Sequence, residues 1–169
     1  MDWNARLEQI LKQLIYRSFP ELRRLRITIG FDDLETGTCL EYYTLHGRFG
    51  IAVSPLLREA PRNALVGGIA HELAHIVRDH HLGPLQRDWA FERFASSRAY
   101  RFREERATDR RAVERGFGPH LIALARFARR IGIRFERENG LLTNEIVRLH
   151  RRIRCGDLLI DTQGDVNRP

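Results

Sequence analysis

Lysine is almost absent from this chain, methionine stands only at the first position, and cysteine occurs twice. Lys12 is the sole lysine among 29 basic residues, so the net charge of +7 is carried by arginine. Cys39 and Cys155, far apart in the chain, exclude a disulfide framework or a cysteine-rich zinc site and read as reduced thiols. No apolar run approaches the length that spans a bilayer. The first fifteen residues, MDWNARLEQILKQLI, lack the basic start and unbroken apolar centre of a secretory signal, so a cytoplasmic location is the expectation.

What is present is an ordinary globular composition, 43% hydrophobic and 30% charged over 169 residues, which fits one domain with a real core. The positive charge invites a nucleic-acid partner. The arginines are interleaved with acids, however, as in RFREERATDRRAVER, where opposite signs meet at helical spacing. A solvated arginine surface is therefore favoured over a nucleic-acid interface. No internal repeat or low-complexity segment interrupts the chain.

Leu7, Ile10, Leu11, Leu14 and Ile15 recur at helical spacing and predict a first helix over 2–19, ended by Pro20. Strands follow at about 25–31, 40–45 and 49–53, with His46-Gly47 as a hairpin turn, making a small antiparallel-type sheet. Ser54-Pro55 opens a short helical turn, and Asn63 is placed to cap a long helix that Gly83-Pro84 stops. Further helices are expected at about 85–97, 101–115, 119–130 and 143–154, followed by a loose tail over 156–169. The fold class is α+β, and 1–155 is read as one domain. The aromatics Trp89, Phe91, Phe94, Tyr100 and Phe102 are expected to fill the core between the helices on either side of 85–97, with a place beside a substrate cleft or against a membrane surface as the alternatives.

The long helix carries Gly67-Gly68-Ile69-Ala70-His71-Glu72-Leu73-Ala74-His75. Residues four apart on a helix stand one turn above each other, so His71 and His75 can present two imidazoles to one ion. Glu72 projects roughly 100° around the axis, where a carboxylate can take a proton from metal-bound water. This is the HExxH signature of zinc peptidases. The plain alternative is a surface helix with two histidines and a salt-bridging glutamate. Apolar residues nearly all round the helix argue instead for burial, and buried imidazoles and carboxylates need partners.

A catalytic zinc site uses three protein ligands and an open position, so the third ligand discriminates. His81 stands at the third-histidine position of HExxHxxGxxH, but Arg78 replaces the glycine and the chain has no methionine for a methionine turn. Read as a solvated helix end, His80 and His81 need no ligand role. Downstream, Glu105 and Asp109 are four apart on one helical face. One carboxylate can bind the metal while the other accepts the free ring N–H of a histidine ligand.

On His71, Glu72, His75, Glu105, Asp109 and Ala112 the chain resembles M48-type gluzincin metallopeptidases, most closely the compact soluble minigluzincins. The stretch IAVSPLLREAPRNALVGGIAHELAH is similar to that family's strand, helical turn and active-site helix, and the resemblance spans roughly 48–154. Leu141 to Ile146 depart from the His-Pro turn of many members, and Thr108 replaces the usual alanine. The resemblance implies a zincin-like fold and one Zn2+ per chain held by His71, His75 and Glu105. It also implies Glu72 as general base, Asp109 orienting a histidine ligand, and a peptide or protein substrate laid along the sheet edge. Tyr42, Tyr43, His46, Tyr100 and His150 are unranked candidates for stabilising an oxyanion.

Two rivals stand beside the peptidase. One is a zinc-stabilised scaffold that binds a protein or nucleic acid through its basic surface. The other is a latent enzyme held by its own tail, with Asp157, Asp161 and Asp165, or by a Cys39 thiolate on the metal.

Overall fold

The computed structural model describes residues 2–133 and 140–156. The tail beyond Gly156, with its three aspartates, lies outside them. Among the described residues six helices and a three-stranded sheet follow in the order α1 (Trp3–Ser18), β1 (Ile27–Phe31), β2 (Leu40–Leu45), β3 (Arg48–Val53), α2 (Arg62–Asp79), α3 (Pro84–Ser96), α4 (Arg98–Glu114), α5 (Gly118–Arg130) and α6 (Thr143–Arg154). The fold is α+β, as the sequence predicts.

Local chemistry accounts for most boundaries. The Asp2 carboxylate accepts from the N–H groups of Asn4 and Ala5 and opens α1, whose Leu7, Ile10, Leu11 and Leu14 are buried. His46 and Gly47 both take positive φ, 50° and 75°, the backbone of a two-residue hairpin turn between β2 and β3. The Ser54 hydroxyl caps the turn Pro55–Glu59 by accepting from Leu56 N–H. At α2 the expectation moves by one residue: the helix begins at Arg62 with Pro61 as its cap residue, and Asn63 lies inside the first turn.

The strand order is β1-β3-β2. β2 pairs antiparallel with β3, but β1 pairs parallel with it, which corrects the expected antiparallel arrangement of all three strands. The reason is topological. The stretch between β1 and β2 carries the chain to the far side of the position β3 takes, so β3 returns into the gap and runs alongside β1. Every residue of β3 from Phe49 to Val53 is buried, as a central strand requires, while β2 forms an edge.

α1 packs on β1, and α2 lies against β2 and β3 with α5 on its other side. This leaves α2 enclosed, with Leu65, Ile69, Leu73 and Ile76 fully buried in one continuous cluster with α1, β3, α4 and α5. Each such side chain contributes about 1.5–3 kcal/mol of hydrophobic stabilisation. Gly67 and Gly68 allow the close packing. A methyl group on Gly67 would collide with the backbone carbonyl of His120 in α5, and one on Gly68 with the side chain of Leu40 in β2.

α3 departs from expectation. It buries only Ala90, while Leu85, Trp89 and Phe91 are exposed, so the 85–102 aromatics do not fill the core. Its one extensive helix contact is α4. Guanidinium groups cover several rings instead: Arg93 lies over both Trp89 and Tyr100, Arg101 over Phe94, and Arg106 over Phe102. Much of the arginine excess is thus spent on aromatic faces as well as on acids such as Glu21, Glu104 and Glu145.

Gly67→Ala is expected to destabilise the chain by about 2 kcal/mol or more, because its neighbour is backbone that cannot rotate away. Urea unfolding checks this; a loss within about 0.5 kcal/mol would mean that α2 and α5 are not in such close contact.

Candidate metal centre

The candidate site lies where α2 crosses α4, on the floor of a cleft of about 940 Å3. His71 and His75 share a face of α2, and their Nε2 atoms are 3.2 Å apart. Glu105 of α4 brings one carboxylate oxygen to 3.1 Å from His71 Nε2 and the other to 3.6 Å from His75 Nε2. Ligand atoms from His71, His75 and Glu105 all lie within 4.8 Å of one another, a group that can hold a metal ion.

Each ring is held from behind. His71 Nδ1 is 2.8 Å from Asp109 Oδ1, a bond in which the imidazole donates. His75 Nδ1 is 3.2 Å from Thr108 Oγ1, a neutral partner that can donate or accept. The two Nε2 atoms and a carboxylate thus converge on one point, an arrangement that needs a proton or a metal cation between them. The donor set is of the kind zinc sites use, three protein ligands with room left open.

Electrostatics follow the same geometry. Burial acts to lower the His71 pKa, but its bonds to Asp109 and Glu105 outweigh it and hold the ring well above the usual histidine range. Burial likewise acts to raise Glu105, yet the two imidazoles keep its carboxyl well below the ordinary carboxylate range. A metal binding here displaces a proton.

Glu72, one residue past His71, is 6% exposed. Burial raises its pKa, partly offset by the two histidines and by the Tyr42 N–H, which donates to Oε2 at 3.0 Å. Oε1 has no hydrogen-bond partner among the described residues. Because the Tyr42 N–H points away from β3, alternation along the strand turns the N–H groups of Leu40 and Thr44 outward too. The free edge of β2 therefore runs beside the Glu72 carboxylate.

The sequence anticipates the positions of His71, Glu72, His75, Glu105 and Asp109, and the structure brings all five together. It does not bring His81, which is exposed in the turn after α2, while His80 Nδ1 bonds to the Val77 carbonyl. Of the unranked candidates, only Tyr42 lines the cleft. Four more residues contribute to the site. Thr108 reads as a small-for-small replacement, yet it is fully buried against His75. Leu141 N–H donates to Asp109 Oδ2 at 2.7 Å, and Gly140, at φ 130°, leaves the space for that carboxylate. Phe94 of α3 sets its ring edge toward His75 at 6.2 Å between centroids. The ExxTD spacing marks Thr108 and the aromatic segment marks Phe94, whereas nothing in the sequence signals the roles of Gly140 and Leu141.

Cys39 lines the cleft but is outside the ligand group. Burial first, and the nearby Glu72 charge second, push its thiol up to about 11, which leaves it protonated at neutral pH in the metal-free chain.

Fold and site together define an α+β protein with an enclosed helix carrying two histidines of a three-residue group that could hold a metal ion. Comparison with protein-family models, curated proteins and solved structures finds no match to this chain. No helix among the described residues is long and apolar enough to cross a membrane.

Two outcomes are expected. Asp109→Asn and Thr108→Ala are each expected to weaken the affinity of any divalent metal that binds here by about 10–100-fold in chelator competition; wild-type affinity in both would show that the Nδ1 partners do not orient the imidazoles. In a thiol titration at pH 7, Cys155 reacts promptly and Cys39 only on unfolding. Two fast thiols would show that Cys39 is not held as described.

Proposed function

We propose that this chain is a zinc-dependent metallopeptidase that hydrolyses peptide bonds with Glu72 as general base. The observation that carries the reading is the convergence of His71, His75 and Glu105 with a buried, partly tethered Glu72 beside a free strand edge in a cleft. His71, His75 and Glu105 would hold the metal. Bound there, Zn2+ would supply Lewis acidity, lowering the pKa of its water and polarising a carbonyl oxygen.

The remaining roles belong to the chain. Glu72 takes a proton at its unengaged Oε1 while Tyr42 N–H steadies Oε2, and then returns that proton to the leaving amine. Burial favours this, since a raised pKa brings a carboxylate closer to the value a base and acid needs near neutrality. An extended peptide fits the outward N–H groups of Leu40 and Thr44 and the outward C=O groups of β2 by strand addition. The opposite wall, with Leu121, Leu124, Leu141 and Ile146, offers apolar surface to a substrate side chain.

Chemistry of the donor set favours zinc, although two imidazoles and a carboxylate also accept cobalt or manganese. The decisive comparison is elemental analysis beside a casein or mixed-peptide assay. Glu105→Ala is expected to lose metal and turnover together, whereas Glu72→Gln keeps near-stoichiometric metal and loses at least about 100-fold in turnover. Full turnover in Glu72→Gln would remove Glu72 as the base, and a metal-free wild type would remove the peptidase reading.

A further inference from the structure

One edge-strand residue touches more of this site than its position in the sequence suggests. The Tyr42 N–H is bonded to Glu72, and the Tyr42 ring stacks on the His75 imidazole with centroids 5.1 Å apart and planes 14° from parallel. At its far end the phenol donates to Asp79 Oδ2 at 2.6 Å and accepts from Arg78 Nη2 at 3.2 Å. Asp79 is 3% exposed and is also bonded by Arg78, which in turn reaches Glu104 of α4 at 2.6 Å.

We infer that Tyr42 is a positioning residue, a strut that fixes the His75 ring and the Glu72 carboxylate relative to each other and is itself anchored by Asp79 and Arg78. His75 needs such a device more than His71 does. His71 is oriented by a charged partner, Asp109, whereas His75 has only the Thr108 hydroxyl at 3.2 Å. A hydroxyl orients an imidazole less strongly than a carboxylate does. The flat face of Tyr42 supplies the missing restraint on ring rotation. The Asp79 bond keeps Tyr42 from sliding along the imidazole, since a charge-assisted O–H···O bond in a buried setting is short and directional. The Arg78–Glu104 pair extends the link to α4, one residue before Glu105. The same anchor therefore ties together the strand edge, the helix carrying the base and the helix carrying the third ligand.

The consequence for metal binding rests on the zinc reading above, but the strut itself is a property of the metal-free chain. The test has two arms. The variants are Tyr42→Phe, which keeps the ring and backbone N–H and removes only the O–H, and Asp79→Asn, which weakens the same link from its other end. Tyr43→Phe serves as a control on the opposite face of the strand. In the metal-free chain, long-range proton–nitrogen spectra of the imidazoles are expected to show one sharp His75 ring state in wild type and Tyr43→Phe. Both test variants should shift or broaden it and leave His71 in place. With metal, zinc affinity by chelator competition is expected to fall about tenfold in each, with altered Co2+ absorption bands, and no further in the double variant. Wild-type His75 spectra in Tyr42→Phe, or additive losses in the double variant, would overturn the strut. A wild type that takes no zinc while His75 still responds to Tyr42→Phe would uphold the strut and remove the zinc reading instead.

Discussion

Burying two imidazoles and three carboxylates where α2 meets α4 is the constraint on which the rest of this structure depends. Each group would be costly there alone, and each is made acceptable by another. His71 is bonded to Asp109 and close to Glu105, His75 to Thr108, and Glu72 to the backbone of β2. Removing any one partner leaves the others short of a hydrogen bond in a place water does not easily reach. That mutual dependence makes the cluster a specific geometry rather than a collection of polar residues.

The scaffold is shaped by the same need. α2 has to lie deep enough to exclude water from its histidines yet leave one face open to a cleft. Gly67 lets α5 approach from one side and Gly68 lets Leu40 approach from another, so the helix is gripped without being sealed. α4 then brings Glu105, Thr108 and Asp109 to the face that remains, and the bidentate Arg106–Glu145 pair holds α6 against it. Leu141, entering α6, completes the partners of Asp109. The cleft is walled on one side by the free edge of β2 and on another by α3, whose Phe91 and Phe94 line it although little of that helix is buried. In the proposed reaction this asymmetry matters, because a substrate meets backbone donors and acceptors along one wall and apolar side chains along the others.

Much of this was legible before any coordinates. The HExxH spacing places two imidazoles on one helical face by periodicity alone, and the four-residue spacing of Glu105 and Asp109 does the same for the carboxylates. Both are short-range geometry, which the helix repeat fixes. The helix order, the hairpin at His46-Gly47 and the cap at Ser54 are legible for the same reason: each rests on residues within one or two turns of each other. The expectations that failed depended on distant partners. Parallel pairing of β1 with β3 is a matter of where the chain returns, and the alternation of β1 reads the same in either direction. The aromatics of α3 look like core residues until it is clear that α3 rests on a single neighbouring helix.

The sequence by itself determined which residues form the candidate site and which helical faces they share, because those facts follow from a repeat of 3.6 residues and from side-chain type. Only the tertiary structure decided who supports them. That Thr108 backs His75, that a glycine and a backbone N–H before α6 complete Asp109, and that Tyr42 meets both Glu72 and His75 are contacts between segments far apart in the chain. No local rule connects such segments; they meet because burial of α2 draws the sheet edge, α4 and the entry to α6 around one buried polar cluster.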